Sequence, residues 1–333
     1  MQVRSSFLYA IPAGLLLVLA AWCGLIYFQL GVPTENERYF HELLQKKERA
    51  ALAVNEPKLL LVAGSSALFG LNAQLIRDQT GIPTVNFGTH LPLGTRYILH
   101  LTQLMARPGD TVLLAFEYEA YDYGPIDGHW RSGALIGYLV ACDPRYLLSL
   151  PLAERYAVVM SMPLERFWYG LFHSIIRAKR VEKNPTYNSE EAVDAIGDEI
   201  ANSRARRPPD PPAFAYLSEP LVYGMPEEPA GFPPIEAFCR WACQHHVRVL
   251  ATFPNILRRS EYDSPQTRET LGRIRGFFRS IEVPLLGNAE DLMLPRDQFF
   301  DTPYHLTKEA ARARTERLVK ELAPYLDVIK AGH

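Results

Sequence analysis

Three residue types that together perform acyl transfer stand at two distant points of this chain. Ser66 ends the run Leu59-Leu60-Leu61-Val62-Ala63-Gly64-Ser65-Ser66, and Asp301 and His305 share the segment Phe300-Asp301-Thr302-Pro303-Tyr304-His305-Leu306-Thr307. In serine chemistry a histidine takes the hydroxyl proton, and a carboxylate holds the imidazole in the tautomer that can accept it. Asp301 and His305 could supply both from one loop. Ser65 is the alternate nucleophile, one position earlier. Each part also has a plainer reading. Gly-Ser-Ser is ordinary turn chemistry, and an aspartate and histidine ahead of a helix can be a cap and a surface side chain.

The elements around these residues decide whether they can meet. Five apolar residues from Leu59 to Ala63, stopped by glycine and two hydroxyls, predict a strand buried on both faces that ends in a sharp turn. In an open parallel sheet, ligands bind in the crevice outside the carboxyl ends of the strands, which would expose Ser66 to substrate. Asn72 caps a short helix carrying Leu75 and Ile76, closed by Gly81. A second strand over 83–87 leads through Asn86-Phe87-Gly88 to a helix over 95–106 with Tyr97, Ile98, Leu101, Leu104 and Met105 on one face. Pro108-Gly109-Asp110 then turns into a strand over 111–116. The alternation resumes with a helix over 235–245, a strand over 247–253, a helix over 266–280, a strand over 283–286 and a last helix over 307–322 with Thr307 as N-cap. Strands separated by helices predict an α/β fold, a doubly wound parallel sheet flanked by helices.

Residues 117–234 interrupt this rhythm and read as a helical insertion. It opens on Glu117-Tyr118-Glu119-Ala120-Tyr121-Asp122-Tyr123, predicts several helices between 135 and 180, and ends in the loop-like Arg206-Arg207-Pro208-Pro209-Asp210-Pro211-Pro212. Tyr118, Tyr121, Tyr123 and Trp130 follow the third strand on the side where the crevice should open. Flat apolar faces suit sugar rings, so these form a candidate glycan platform, with core packing as the alternative.

A chain of 333 residues, 48% hydrophobic and with a net charge of -2, has room for one large domain or two ordinary ones and lacks the basic excess of a nucleic-acid binder. Residues 7–30 carry no charged side chain, enough helix to cross a hydrocarbon layer of about 30 Å. Arg4 precedes this run while Glu35, Glu37 and Arg38 follow it, which favours a cytoplasmic N-terminus and a body outside the cytoplasm. The run exceeds a signal-peptide core and lacks a small-x-small cleavage site, so an uncleaved single-pass anchor is expected. Residues 31–57 form a juxtamembrane helix and linker whose only expected role is spacing, and 58–333 the body. Cys239, Cys243, His245 and His246 superficially suggest a metal cluster, yet their spacing fits no common zinc pattern, and no metal or cofactor is expected.

Taken together, Gly-x-Ser after the first strand, Asn-Phe-Gly after the second and an aspartate shortly before a histidine at the final helix resemble the SGNH hydrolase superfamily over about 58–116 and 235–325. The anchor, Gly-Ser-Ser in place of Gly-Asp-Ser and the mid-chain insertion are similar, more narrowly, to extracytoplasmic SGNH-like proteins that serve O-acetylation of alginate, bacterial cellulose and related polymers. Tyr304-His305-Leu306-Thr307 is the most specific segment. The resemblance implies an SGNH or flavodoxin-like sheet, Ser66 as nucleophile, His305 as base, Asp301 as its orienting partner, and the backbone N–H groups of Ser66 and Gly88 as an oxyanion hole.

By the same resemblance the protein would be an O-acetyltransferase acting on a cellulose- or alginate-like exopolysaccharide through an acetyl-serine intermediate. Its acetyl groups would come from a membrane-bound O-acyltransferase, and it would work with a polymer synthesis and export complex, at the inner membrane with its soluble body in the periplasm. Two other functions fit the same residues: an esterase or deacetylase whose acyl-enzyme is resolved by water, and a scaffold that keeps the fold without activity. The chain departs from the family twice. One extra residue separates Asp301 from His305, and Phe116-Glu117-Tyr118-Glu119 stands where the family has Gly-x-Asn-Asp. The Tyr118 hydroxyl is then the other candidate oxyanion donor, and Glu117 and Glu119 would oppose an oxyanion if they pointed inward.

Overall fold

Runs such as Leu-Leu-Leu-Val leave no polar face to present to water, and in a computed structural model of the chain they form the centre of a sheet covered on both sides. The structure describes residues 3–28, 30–121, 130–162, 164, 166, 168, 172, 190–208 and 224–332. Two compact units make up the chain: Met1–His41 with Gly128–Lys183, and Glu42–Asp127 with Asn184–His333. The division therefore runs through the span 117–234 that reads as one insertion in the sequence.

The helices of the first half are α1 (Val3–Tyr27), α2 (Glu35–Leu52), α3 (Ser65–Gly70), α4 (Ala73–Thr80) and α5 (Thr95–Met105). Then come α6 (Trp130–Ala141), α7 (Pro144–Ser149), α8 (Leu152–Met160), α9 (Phe232–Gln244), α10 (Pro265–Ser280) and α11 (Lys308–Leu322). Within α1, the 19 residues Tyr9–Tyr27 are long and apolar enough to cross a membrane, with a mean hydropathy of 2.1.

The larger unit holds strands β1 (Leu59–Val62), β2 (Thr84–Asn86), β3 (Thr111–Leu114), β4 (Arg248–Thr252), β5 (Ile256–Leu257), β6 (Leu285–Leu286) and β7 (Met293–Leu294). Five of them form one parallel sheet in the order β2-β1-β3-β4-β6, while β5 and β7 pair separately. The chain steps one way from β1 to β2 and the other way across β1 to β3. Because such crossovers are right-handed, the helices of the two steps fall on opposite faces. Consistent with this, α3 and α4 pack with α11, and α5 packs with α9.

Register is what places the site. Val62 pairs with Leu114 and Leu61 with Asn86, so the segments that leave β1, β2 and β3 emerge side by side. At the other edge, Asp110 binds the Lys58 ammonium at 2.6 Å and the Lys58 backbone N–H at 2.9 Å, a buried pair that fixes the starts of β1 and β3. The predicted caps form: the Asn72 side chain accepts the Leu75 N–H at 2.6 Å, and Thr307 accepts that of Ala310.

One expectation needs correction. The segment after α1 is more than a spacer, since the second half of α2 buries Leu43, Leu44, Lys47, Ala50 and Ala51 in the larger unit. Lys47 reaches the carbonyls of Asn86 at 2.9 Å and Gly197 at 2.5 Å, and Lys46 donates to the Val193 carbonyl. Residues 190–202 also belong here. The Ile196 carbonyl accepts the Asn86 N–H at 3.0 Å, and Asp198 caps α4 by accepting the N–H groups of Ala73 at 2.7 Å and Gln74 at 2.9 Å.

Candidate active site

The loop between β7 and α11 is tied shut by its own backbone. Phe300 N–H donates to the His305 carbonyl at 2.7 Å and Thr307 N–H to that of Gln298 at 2.9 Å. Inside it, the Thr302 hydroxyl accepts the N–H of His305 at 3.1 Å. This tight return lets a carboxylate and an imidazole four residues apart face each other, and Asp301 Oδ1 lies 2.7 Å from His305 Nδ1. Both residues are buried. The His305 ring stacks on Phe69 with centroids 4.0 Å apart and an interplanar angle of 12°, and Phe69 lies on α3, the helix that carries Ser66. Thus His305 and Ser66 share one helix as their reference frame. Nδ1 is occupied by Asp301, so Nε2 is the nitrogen left for proton transfer.

Ser66 sits at the first turn of α3, where the β1–β3 register puts it beside the residues leaving β3. Its hydroxyl donates to the Ala115 carbonyl at 2.8 Å rather than to His305. Its backbone N–H donates to Glu117 Oε1 at 2.7 Å, and the Gly64 N–H donates to Glu117 Oε2 at 3.1 Å. Ser65, half-buried, has its hydroxyl 3.5 Å from Glu117 Oε1. A Cβ on Gly64 would stand 2.6 Å from that same carboxylate oxygen, so only glycine admits Glu117 here. Burial pushes the Glu117 carboxyl above its ordinary range, opposed by the N–H groups of Ser66 and Gly64 and by the charge of His305.

This arrangement corrects the expected oxyanion hole. The Ser66 N–H is held by the Glu117 carboxylate, and the Gly88 N–H donates to Asn86 Oδ1 at 3.0 Å. Glu117 does point inward, because the register that brings Ala115 to the Ser66 hydroxyl brings Glu117 to its backbone. Glu119 does not reach Ser66's backbone; its Oε2 accepts the Tyr304 hydroxyl at 2.6 Å.

The aromatic platform is also corrected. Tyr118 and Tyr121 are buried, and Tyr121 packs edge-on against Phe232 and Phe278. Neither offers an open face to a sugar ring. The Tyr118 hydroxyl is buried without a hydrogen-bond partner among the described residues, and burial pushes its ionisation well above the ordinary phenol range. Tyr123 lies outside the described residues, as does the side chain of Trp130, whose backbone opens α6.

Several groups around the pair carry no motif of their own. His90 follows Gly88 by two residues; burial, then the charges of His305 and Lys47, lower its pKa to about 3, while Asp301 pulls the other way. It is therefore neutral at ordinary pH. Lys47 is lowered to about 7 by burial against the pull of Asp198, Glu199 and Asp194, and Glu199 is raised to about 8, again by burial, with Lys47 lowering and Asp301 raising it. In the sequence Lys47 sits in a charged helix, and Asp198 and Glu199 sit in the span read as an insertion. Only His90, next to Asn86-Phe87-Gly88, stood near a visible signal. Among the described residues no group of three or more His, Cys, Asp or Glu side chains could hold a metal ion, and Cys239 and Cys243 are free thiols. No protein-family model and no curated protein matches the chain.

Proposed function

We propose that the chain is a membrane-anchored O-acetyltransferase of the SGNH type that acetylates an extracytoplasmic polysaccharide through Ser66. The observation that carries this reading is the Asp301–His305 contact at 2.7 Å, stacked through His305 on the helix whose first turn holds Ser66. In the reaction the Ser66 hydroxyl turns from the Ala115 carbonyl, gives its proton to His305 Nε2 and bonds to the acyl carbon of the donor. The oxyanion takes the Ser66 N–H from Glu117, the donor's leaving group departs with the proton from His305, and Ser66 is left as an acetyl ester. A sugar hydroxyl then attacks that ester, giving its proton to His305, and the tetrahedral intermediate collapses with return of the proton to Ser66 Oγ. Water in place of the sugar would make the same site an esterase, and an acceptor glycan in the assay separates the two by product.

The remaining parts of the reading follow from α1. Arg4 before it and the acidic residues after it favour an N-terminus in the cytoplasm, with the body in the periplasm and the inner membrane as the site. A compartment without acetyl-CoA calls for a membrane-bound O-acyltransferase to deliver the acetyl group, alongside the polymer synthesis and export complex.

A second reading has its own support. Glu117 and Asn86 occupy the N–H groups of Ser66 and Gly88, which suits a protein that has kept the fold as a scaffold and lost the reaction. The experiment is intact mass of the full chain in detergent after incubation with p-nitrophenyl acetate, for wild type, Ser66→Ala and His305→Ala. A single acetyl adduct or ester turnover that both changes abolish supports acyl transfer at Ser66, and acetylated glycan in place of free acetate when an acceptor is added supports the transferase. A folded wild type that neither gains acetyl nor turns over ester supports the scaffold.

A further inference from the structure

The smaller unit carries apolar side chains on the wrong face for a protein bathed in water. On α8, Leu152, Tyr156 and Met160 recur every four residues, and so do Leu164, Trp168 and Phe172 in the helical residues that follow. Four-residue spacing puts each set on one helix face. All six are between 48% and 78% exposed. Val158, Met162 and Arg166 point the other way and are buried. An exposed row of bulky apolar residues over a buried arginine inverts the usual order of a surface helix and marks an interaction face.

What covers this face follows from where its buried side is fastened. Arg166 Nε donates to Glu37 Oε1 at 2.9 Å, and its Nη2 donates to Glu37 Oε2 at 2.9 Å and to the Val32 carbonyl at 3.0 Å. Thr34 N–H closes the clasp on Glu37 Oε2 at 2.7 Å. Val32, Thr34 and Glu37 are the residues by which the chain leaves α1 and enters α2. If α1 spans the bilayer, this clasp holds the inner face of the exposed helix at the point where the chain emerges, within the headgroup layer. The outer face is of the kind that layer takes: aliphatic side chains with Tyr156 and Trp168, whose amphipathic rings settle at the interface.

We propose that this face lies in the interfacial layer of the same bilayer that α1 spans, giving the protein a second, monotopic lipid contact. The Arg166–Glu37 clasp is then the joint that sets the tilt of the helix relative to the anchor. The inference needs the anchor and is independent of the acyl-transfer reading, so failure of one leaves the other standing.

The test uses the full chain with Trp168 as its single tryptophan, Trp22, Trp130 and Trp241 being changed to phenylalanine, in nanodiscs of phosphatidylethanolamine and phosphatidylglycerol. With bromine on the acyl chains, Trp168 is expected to lose most of its emission, more with bromine near the headgroup than near the bilayer centre. Leu164→Glu together with Phe172→Glu is expected to restore it while leaving the circular dichroism melt unchanged. Equal emission in brominated and plain discs overturns the proposal. So does protection of Trp168 from iodide only in native membranes, which would show a protein partner covering the face.

Discussion

Glu117 accepts the backbone N–H of Ser66 at 2.7 Å, so a carboxylate of the protein itself occupies the donor that acyl transfer would use. A carboxylate oxygen and a tetrahedral oxyanion ask for the same thing, an N–H aimed at localised negative charge. The contact therefore carries two meanings. It shows the turn after β1 aiming the N–H groups of Ser66 and Gly64 at carboxyl oxygens, and it puts a competitor there.

Glu117→Gln separates these meanings, because it keeps an oxygen that can accept the Ser66 N–H and removes the charge. With the competitor weakened, acetylation of Ser66 by p-nitrophenyl acetate should accelerate about tenfold, a modest share of what one oxyanion donor contributes. Pre-steady-state release of p-nitrophenolate measures it. An unchanged or slower burst would mean that Glu117 does not restrain the site.

Asp301→Asn tests the other half of the site. An asparagine fits the loop but favours the wrong imidazole tautomer, leaving Nε2 protonated and unable to accept the Ser66 proton. Ester turnover should fall by roughly a thousandfold with little change in KM. Wild-type turnover in this variant would remove Asp301 from the mechanism.

What the sequence made legible was local and periodic. The β1 run, the Asn72 and Thr307 caps and the alternation of strands and helices are all encoded within a few neighbouring residues, and the parallel sheet follows from them. The Asp301–His305 meeting could be foreseen as residue types but not as geometry, because the closure of the loop by Phe300 and Thr307 is a backbone property. Glu117 was visible as a missing amide, yet its inward direction depends on the β1–β3 register. Lys47, Asp198 and Glu199 were hidden for a different reason: they reach the β2 end from parts of the chain whose composition reads as solvated. Long-range burial turned a surface-like lysine into a core group, and no window of sequence contains that information.

Glu199 makes that hidden cluster measurable. Its carboxyl, ordinarily near 4.5, is raised to about 8 by burial. Below pH 4.5 both the folded and unfolded chains hold the proton; between that point and about pH 8 only the folded chain does, so the folded state loses stability as pH rises through the window. Glu199→Gln should show no such loss. Urea unfolding at a series of pH values should find the variant and wild type alike in acid, with the variant gaining by a few kcal/mol towards pH 8. A constant difference across the range would mean that Glu199 is ionised in the fold.

Gly70 ends α3 against the Asn255 side chain, and the position of His305 depends on that fit. The Asn255 Nδ2 donates to the Tyr304 carbonyl at 2.5 Å, holding the residue just before His305, while its Oδ1 lies where a Cβ on Gly70 would overlap it. Gly70→Ala must therefore push Asn255 away from Tyr304 or strain α3. It should lower stability by about 2 kcal/mol, as overpacking of a filled site does, and reduce ester turnover because the His305 loop loses its brace. The decisive comparison is made in an Asn255→Ala background, where the overlap is gone. There the added methyl should cost almost nothing, and a penalty that persists would place the cause in the α3 backbone instead of in the contact with Asn255.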